Sequence, residues 1–184
     1  MYFCNNENCE NVTKEFHEAC IKGDLEKVTN LLRRKEEIDV KQLDKNDTLY
    51  RTIGKGYSDT HYRTIGKRYS EIVKLMLKLG VNVNEKERFF GNTPFQIACA
   101  IGLLPIAKLL LENGADIDAN VNLLNGAPTS LHTAVIDQNA AIAKLLLENG
   151  CKTGVRNQKG LTEIEEALEK GYVGIVKQIA FHDK

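Results

Sequence analysis

The chain has 184 residues, of which 42% are hydrophobic, and this length and composition suffice for one domain with a packed core. Its formal net charge is zero, which disfavours a nucleic-acid partner because nucleic-acid binding requires clustered basic charge. The N-terminal residues MYFCNNENCENV contain no apolar stretch of signal-peptide length, and no run in the sequence is long enough to span a membrane. We therefore expect a protein of the cytoplasm, or of the host-cell cytoplasm if the chain is a secreted effector, with no membrane association.

The cysteines indicate neither a disulfide framework nor a metal site. Their number, five, is odd, and the chain shows no secretory signal, which favours free thiols. Cys4, Cys9, His17 and Cys20 carry zinc-ligating atoms, but their spacing does not follow that of structural zinc sites. We therefore predict no metal and no cofactor.

The first elements along the chain are a tail, predicted for residues 1–12, and a segment at 16–32 (FHEACIKGDLEKVTNLL) that weakly resembles two stronger segments further on. The charge run RRKEE follows at 33–37, and a similar run, EKER, lies at 85–88. Because both runs are mixed in sign, we expect them to form solvated surface.

A tandem duplication comes next. Residues 47–58 (DTLYRTIGKGYS) are followed at once by residues 59–70 (DTHYRTIGKRYS), and ten of the twelve residues are identical. The copies contain four of the six tyrosines and five basic residues, and Tyr and Arg are favoured at protein interfaces. The extra copy is either a neutral insertion or an element that recognises a partner. The copies differ at two positions, which are Leu49 and Gly56 in the first copy and His61 and Arg68 in the second.

A longer repeat occupies the second half of the chain. The run AKLLLENG occurs at 107–114 and again at 143–150, within similar surroundings. In each case a threonine precedes a short helix, a turn follows, and a second, more apolar helix ends at glycine. The leucines of the second helix, Leu109, Leu110 and Leu111 in the first case, are expected to supply the core between repeats.

Helix ends and close contacts in these segments follow from residue type. Thr93 and Thr129 can begin a helix by accepting hydrogen bonds from its free amides. Gly114 and Gly150 can end a helix in the left-handed conformation. Small side chains on the first helices let neighbouring helices approach closely, at Ala98, Cys99, Ala134 and Val135.

The motifs TPFQIA at 93–98 and TSLHTA at 129–134, each followed by LLLENG, resemble the T-P-L-H-x-A signature and the period near 33 of the ankyrin repeat. With the weaker copies at 16–32 and 160–181, the resemblance covers about residues 13–184. It implies an all-α ankyrin-repeat solenoid of five helix-turn-helix repeats joined by β-hairpin-like fingers. The predicted repeats are residues 13–45, 46–91, 92–126, 127–159 and 160–184.

The resemblance also implies structural roles for two histidines. His17 and His132 stand at the family's motif histidine, whose ring serves backbone hydrogen bonds between neighbouring repeats. Catalysis by either residue is therefore disfavoured.

The spacing of the repeats shows that one duplicated copy is surplus. One second-helix position recurs with intervals of 45, 34, 36 and 33 residues, so the first interval exceeds the others by about the length of one copy. The residues at this position are Val28, Val73, Ala107, Ala143 and Val176.

The first copy fits the first helix of repeat two better than the second copy does. Leu49 matches the motif's buried leucine, and histidine there would cost about 2–3 kcal/mol. Gly56 matches the turn glycine, where Arg68 would cost about 1 kcal/mol. The second copy is then expected near the turn between the two helices. The opposite arrangement stays open, because the second copy runs directly into the next helix.

The resemblance implies a protein partner that binds the concave face, which is formed by fingertips and by the exposed sides of the first helices. Fingertips are predicted at 40–46, 85–92, 119–128 and 154–160. Two of them carry apolar pairs where polar residues are the norm, and such pairs commonly mark an interface. Alternatively, the pairs fold back onto the helices as a local core. The predicted partner-binding residues, in repeats three and four, are Phe89, Phe90, Ile97, Ile101, Leu123, Leu124, Thr133 and Ile136.

The last repeat is expected to act as a cap. Its apolar residues should face repeat four while its other side is polar, and the apolar residues are Ile164, Ala167, Leu168, Ile175, Val176 and Ile179.

These patterns predict a non-catalytic, monomeric protein-binding module. The alternatives are a structural or weakly self-associating repeat protein and a designed chain that duplicates a helix. An enzyme is disfavoured because the recognisable side chains are used by the fold.

Overall fold

A computed structural model describes residues 7–58, 62–119 and 129–182. Within these residues the chain forms eleven α-helices, one 3₁₀ helix and no strand, so the predicted all-α repeat fold is confirmed. None of the described helices is long and apolar enough to cross a membrane. The chain divides into two compact units, the first ending at Pro94 and the second beginning at Phe95.

The first unit covers the residues predicted as repeats one and two. Its helices are α1 (Glu7–Lys22), α2 (Leu25–Leu31), the 3₁₀ helix (Leu32–Glu37), α3 (Val40–Lys45), α4 (Thr48–Ser58) and α5 (Tyr62–Leu79). The first helices of the two repeats, α1 and α4, pack side by side, and the second helices, α2 and α5, do the same. Their apolar faces meet in a core that includes Phe16, Val28, Leu43, Ile53, Val73 and Met76, all fully buried.

Helix α1 begins at Glu7, six residues before the predicted domain boundary at residue 13. Glu7 and Glu10 lie in its first turn, where negative charge complements the helix dipole. Cys9 and Val12 are buried, so apolar packing also holds this extension in place.

A short helix replaces the fingertip predicted at 40–46. Helix α3 is capped by the Asp39 side chain, which accepts a hydrogen bond from the Gln42 amide at 3.2 Å. Leu43 on α3 is fully buried. The cap and this apolar anchor explain why the segment is helical.

The duplicated residues occupy two helices. The first copy forms α4, on which Leu49 is 4% exposed, and the second copy from Tyr62 onward is continuous with α5. Gly56 lies inside α4 rather than at a turn, because this helix continues to Ser58. Tyr69 of the second copy is buried, and its hydroxyl donates to the Ile21 carbonyl at 3.0 Å. Whether the second copy is dispensable stays a prediction.

The second unit covers nearly all of the residues predicted as repeats three to five. Its helices are α6 (Pro94–Ala100), α7 (Leu104–Glu112), α8 (Ser130–Ile136), α9 (Ala140–Glu148), α10 (Glu163–Glu169) and α11 (Val173–His182). Helix α8 packs against α10, and α9 lies against both α7 and α11. The expected small residues are buried at this packing, namely Ala98, Cys99, Ala134 and Val135.

The helix ends in this unit follow the predicted chemistry. Thr129 caps α8 by accepting a hydrogen bond from the His132 amide at 3.2 Å, and Thr162 caps α10 in the same way through the Glu165 amide at 3.3 Å. Gly114 has φ +84° after α7, as expected for a left-handed helix end.

The turn between the helices of repeat four has an unusual residue. Gly102 and Gly171 have positive φ between the helices of repeats three and five, and Gln138 takes the same place in repeat four with φ 53°. A residue with a Cβ is strained there, so this turn departs from the repeat's own pattern.

The cap prediction is wrong for one residue of the last repeat. Ala167, Ile175 and Ile179 are buried as expected, but Leu168 is 60% exposed. Leu168 corresponds to Val135 of α8, which is fully buried in the preceding repeat, where α10 packs against α8. No helix pair follows α11 in the described residues to cover Leu168 in the same way.

Three cysteines are free and buried, and the expectation of free thiols is wrong for Cys9, which is disulfide-bonded. Burial raises the pKa of the Cys20 thiol, and it raises the pKa of Cys99 to about 12 with a smaller contribution from Cys151. Such thiols stay protonated at neutral pH, so they act as core residues. The described residues contain no group of three or more His, Cys, Asp or Glu side chains that could hold a metal ion.

Candidate functional site

Two phenylalanine side chains project from a turn in the first unit. Phe89 is 88% exposed and Phe90 is 80% exposed, so neither ring folds back onto the helices. They belong to residues 87–92, hereafter the Phe89–Phe90 turn. The two rings therefore form an exposed apolar surface of adjacent residues.

The buried carboxylate of Glu87 holds the turn in shape. Glu87 is 5% exposed, and its oxygens accept hydrogen bonds from the amides of Phe89 at 2.7 Å, Phe90 at 2.5 Å and Asn92 at 3.3 Å. The backbone closes the turn, since the Glu87 amide donates to the Asn92 carbonyl at 2.9 Å and the Gly91 amide donates to the Glu87 carbonyl at 3.1 Å. Burial alone would raise the pKa of Glu87, but the amide donors outweigh it and the pKa is lowered.

A groove of about 1350 Å³ lies beside this turn in the first unit. Helices α1, α3 and α4 line it, and Arg88 and Phe89 contribute from the turn. The Arg88 guanidinium lies 3.8 Å from the Asp47 carboxylate at the start of α4. The turn and the groove therefore form one continuous surface within the unit.

The charge along the α1 side of the groove alternates in sign. Residues four apart on a helix share a face, and this face carries acidic and basic side chains in turn. One neighbouring pair is in contact, with Lys22 Nζ 3.3 Å from the Glu18 carboxylate. The row consists of Glu10, Lys14, Glu18 and Lys22, all of which line the groove.

A neutral histidine lies in the groove. The Thr48 hydroxyl donates its only hydrogen to the Leu43 carbonyl at 2.8 Å, so His17 Nδ1, 2.8 Å from Thr48 Oγ1, carries a proton and donates. Nε2 is then the unprotonated nitrogen, and it lies 3.4 Å from the Arg51 guanidinium. Burial, together with the Arg51 charge, lowers the pKa of His17. The ring therefore joins two repeats through a side chain rather than through the backbone.

The motif histidine of repeat four behaves as the resemblance implies. Its Nε2 donates to the Leu161 carbonyl of the next repeat at 3.1 Å. Nδ1 of His132 lies 3.0 Å from the Thr129 hydroxyl and 3.5 Å from the Glu163 carboxylate, so both groups face the same ring nitrogen and do not form a catalytic triad. These three residues are at most 5% exposed, and Glu163 also accepts from the Gly154 amide at 2.9 Å. Burial leaves no room for a substrate, so the cluster joins repeats four and five.

A family model of ankyrin repeats, in three copies, matches residues 16–121, which is more than half of the chain. The chain belongs to the ankyrin repeat family. Ankyrin repeats are generally protein–protein interaction modules, and the Phe89–Phe90 turn lies within the matched residues, as do the groove residues from His17 onward.

Three relatives show how widely this repeat is used. The chain is 32% identical over 111 residues to the ankyrin repeat protein FPV031 of fowlpox virus (strain NVSL), covering 59% of this chain. It is 26% identical over 164 residues to the 26S proteasome regulatory subunit p28 of Saccharomyces cerevisiae, covering 88% of this chain. It is 38% identical over 91 residues to BRCA1-associated RING domain protein 1 of Caenorhabditis elegans, covering 50% of this chain. It spans 32%, 66% and 12% of these relatives' own lengths.

The remaining predicted residues belong to the second unit of this ankyrin repeat chain. Ile97 and Ile101 are half-buried, and Ile136 is 40% exposed. Thr133 is half-buried, with its hydroxyl donating to the Thr129 carbonyl at 3.2 Å. Leu123 and Leu124 lie outside the described residues. A continuous patch over repeats three and four therefore stays a prediction.

Sequence reasoning missed the groove of the first unit. Its lining comes from the first helices of the predicted repeats one and two, including His17, Tyr50 and Arg51. The signal was partial, because Arg51 stands at an exposed first-helix position, whereas His17 stands at the motif histidine, whose equivalent His132 is fully buried. Polar side chains at such positions are also typical of solvated surface, so the sequence alone does not distinguish a groove there.

Proposed function

We propose that this ankyrin repeat chain is a non-catalytic module that binds a protein partner, with the Phe89–Phe90 turn as the principal contact. The observation that carries the proposal is the exposure of the two rings, 88% and 80%, on a turn held by a buried carboxylate. Hot spots at protein interfaces are enriched in side chains that fill pockets on the partner. Two exposed rings on a fixed backbone suit that role.

The expected energy is large enough to measure. Covering one Phe ring removes on the order of 150 Å² of apolar surface from water, or about 4 kcal/mol before the costs of association. If half of this survives, each ring contributes about 2 kcal/mol, equivalent to about thirtyfold in affinity. Removing both rings should therefore reduce binding by more than a hundredfold, on the order of the effect of losing two hot-spot residues.

The groove indicates the charge of the partner segment beside the turn. Its α1 side alternates acidic and basic side chains, so neither a strongly acidic nor a strongly basic segment is favoured. We infer a partner segment of mixed charge, no nucleic acid and no cofactor, and a monomer that acts in the cytoplasm. The second-unit residues proposed to contribute to partner binding are Ile97, Ile101, Leu123, Leu124, Thr133 and Ile136.

The test is the affinity of a purified partner, first recovered with the wild-type chain, for a Phe89→Ser/Phe90→Ser variant. Calorimetry should show binding more than a hundredfold weaker. Phe181→Ser is the matched control, because Phe181 is 72% exposed in the second unit. This variant should bind the partner as tightly as the wild type does. Equal affinity of the double variant and the wild type would contradict the proposal. A Leu123→Ser/Leu124→Ser variant tests the second-unit contribution separately.

Self-association through the turn is the competing possibility. Light scattering at increasing protein concentration distinguishes the two. A dimer that is lost in the Phe89→Ser/Phe90→Ser variant would favour self-association, and a monomer at all concentrations would favour a different protein as partner.

A further inference from the structure

The second unit contains a turn of the same design that presents no aromatic ring. There, Asn157 Oδ1 accepts from the amides of Lys159 at 2.9 Å and Leu161 at 3.2 Å. The Asn157 amide donates to the Leu161 carbonyl at 2.9 Å, and the Gly160 amide donates to the Asn157 carbonyl at 2.8 Å. The pattern of backbone closure therefore matches that of the Phe89–Phe90 turn.

The Phe89–Phe90 turn differs from this second turn in two respects. It has one residue more between its closing residues, because Glu87 pairs with Asn92 whereas Asn157 pairs with Leu161. It also uses a carboxylate where a neutral amide suffices in the second turn. The two oxygens of Glu87 accept three amides, two of which belong to the residues that carry the exposed rings.

A buried carboxylate is costly unless hydrogen bonds satisfy it, so its retention at a turn needs a reason. Here the donors fix the backbone of two consecutive residues whose side chains touch little of the fold. Fixing the backbone before binding reduces the ordering cost that a flexible turn would incur at the moment of association.

We propose that Glu87 is a positioning residue of the partner-binding surface, whose carboxylate presents Phe89 and Phe90 as a preformed knob for an apolar pocket on the partner protein. The inference rests on the proposed function. The lowered pKa of Glu87 supports it, because the amide donors outweigh the effect of burial. The Arg88 guanidinium, 3.8 Å from the Asp47 carboxylate, brings the same turn close to the start of α4.

The first measurement needs no partner. Amide hydrogen exchange, followed by NMR, should be at least tenfold faster at residues 89, 90 and 92 in Glu87→Ala than in the wild type. Amides in the cores of α1 and α4 should be unchanged. Asn157→Ala is the matched control, since it removes the equivalent side-chain acceptor from the second turn and should leave residues 89, 90 and 92 as in the wild type. Unchanged exchange at these residues in Glu87→Ala would overturn the inference.

The second measurement uses a defined probe, a nanobody selected on the wild-type chain and counter-selected on Phe89→Ser/Phe90→Ser, so that it binds through the rings. Glu87→Ala should raise its dissociation constant about tenfold or more, and Asn157→Ala should not change it. Glu87→Gln keeps the shape of the side chain and one acceptor oxygen, so its dissociation constant should lie between those of the wild type and Glu87→Ala. This variant should also remain folded if Glu87→Ala does not. Wild-type affinity in the Glu87 variants would overturn the positioning role.

The natural partner separates the failure of this inference from that of the proposed function. If Phe89→Ser/Phe90→Ser leaves partner binding intact, the proposed function fails. If the ring variant loses the partner but Glu87→Ala and Glu87→Gln bind it as tightly as the wild type, only the positioning role fails.

Discussion

Deleting either copy of the duplicated twelve residues gives two chains of equal length that differ at only two positions. Deletion of 59–70 joins Ser58 to Glu71 and keeps Leu49 and Gly56 in the first helix of repeat two. Deletion of 47–58 places His61 and Arg68 at the equivalent positions. The pair therefore compares the two copies in the same slot, against the same remaining chain.

The expected difference follows from the two sites. Leu49 is 4% exposed, and a histidine in its place loses apolar burial and brings an imidazole into the core, at about 2–3 kcal/mol. Without the second copy, Gly56 becomes the turn residue, equivalent to Gly102 with its φ of +74°. Arginine there costs about 1 kcal/mol. The deletion of 47–58 should thus be about 3–4 kcal/mol less stable than the deletion of 59–70.

The buried tyrosine should not disturb this comparison. Tyr69 donates to the Ile21 carbonyl at 3.0 Å and is retained when 47–58 is removed. When 59–70 is removed, Tyr57 stands two residues before Glu71, as Tyr69 does in the full chain. Both deletions therefore keep a tyrosine at this position.

The assay is urea unfolding followed by circular dichroism at 222 nm, on the full chain and both deletions. The deletion of 59–70 should lie within about 1 kcal/mol of the full chain, because the first copy supplies nearly the same residues to the shortened helix pair, with Tyr57 in place of Tyr69. Replacing His61 by Leu in the other deletion should recover about 2–3 kcal/mol. Equal stability of the two deletions would refute the assignment of the first copy to this slot. Unfolding of the 59–70 deletion would show that the second copy is required.

Three further predictions concern single positions. Gln138→Gly should raise the free energy of unfolding by about 0.5–1 kcal/mol in urea titrations, since it relieves a left-handed φ of 53°, and a loss of stability would contradict this. Val135→Ala should cost about 2 kcal/mol whereas Leu168→Ala costs about 0.5 kcal/mol or less, because the first side chain is fully buried and the second is 60% exposed; equal costs would contradict the open face of α10. The pKa of His17 is lowered in the fold by burial and by Arg51, so the unfolded chain binds the proton first and stability should fall as pH drops below about 6.5. Urea midpoints at pH 7.5 and 5.5 measure this loss of stability, and His17→Gln should reduce it. An equal loss in the variant would assign the pH dependence to other titratable groups.

The repeat architecture could be predicted because its determinants are local. The cap at Thr129 needs only a hydroxyl and the amide three residues later, and both are set by the first turn of α8. The left-handed end at Gly114 needs only a residue without a Cβ. Burial of Val135 follows from a small residue recurring at one position of each repeat. Each of these can be read within a window of about ten residues, and each is present in the structure.

The structure differs from the sequence predictions at positions whose burial depends on contacts with residues distant in the sequence. Leu168 occupies the same motif position as Val135, and only the presence or absence of a following helix pair distinguishes a buried side chain from an exposed one. Similarly, residues 40–45 carry the polar composition of a fingertip but form α3, because Leu43 finds a buried place in the first unit. A motif gives the position of a residue in its repeat, but it does not show what packs against that position.

The Phe89–Phe90 turn also contains one feature that the local sequence predicts and one that it does not. Phe89 and Phe90 could be identified from sequence because two apolar residues at a fingertip break the family's pattern. Glu87 could not, because it lies in the mixed run EKER, which is typical of solvated surface. In the structure, Arg88 of that run has a side chain that is 61% exposed while its neighbour Glu87 is 5% exposed and accepts three amides. A carboxylate in a charge run is solvated by default, and it becomes buried only when the backbone supplies enough donors to offset the lost water. That condition depends on the path of the five following residues, so it is visible only once the turn has been built.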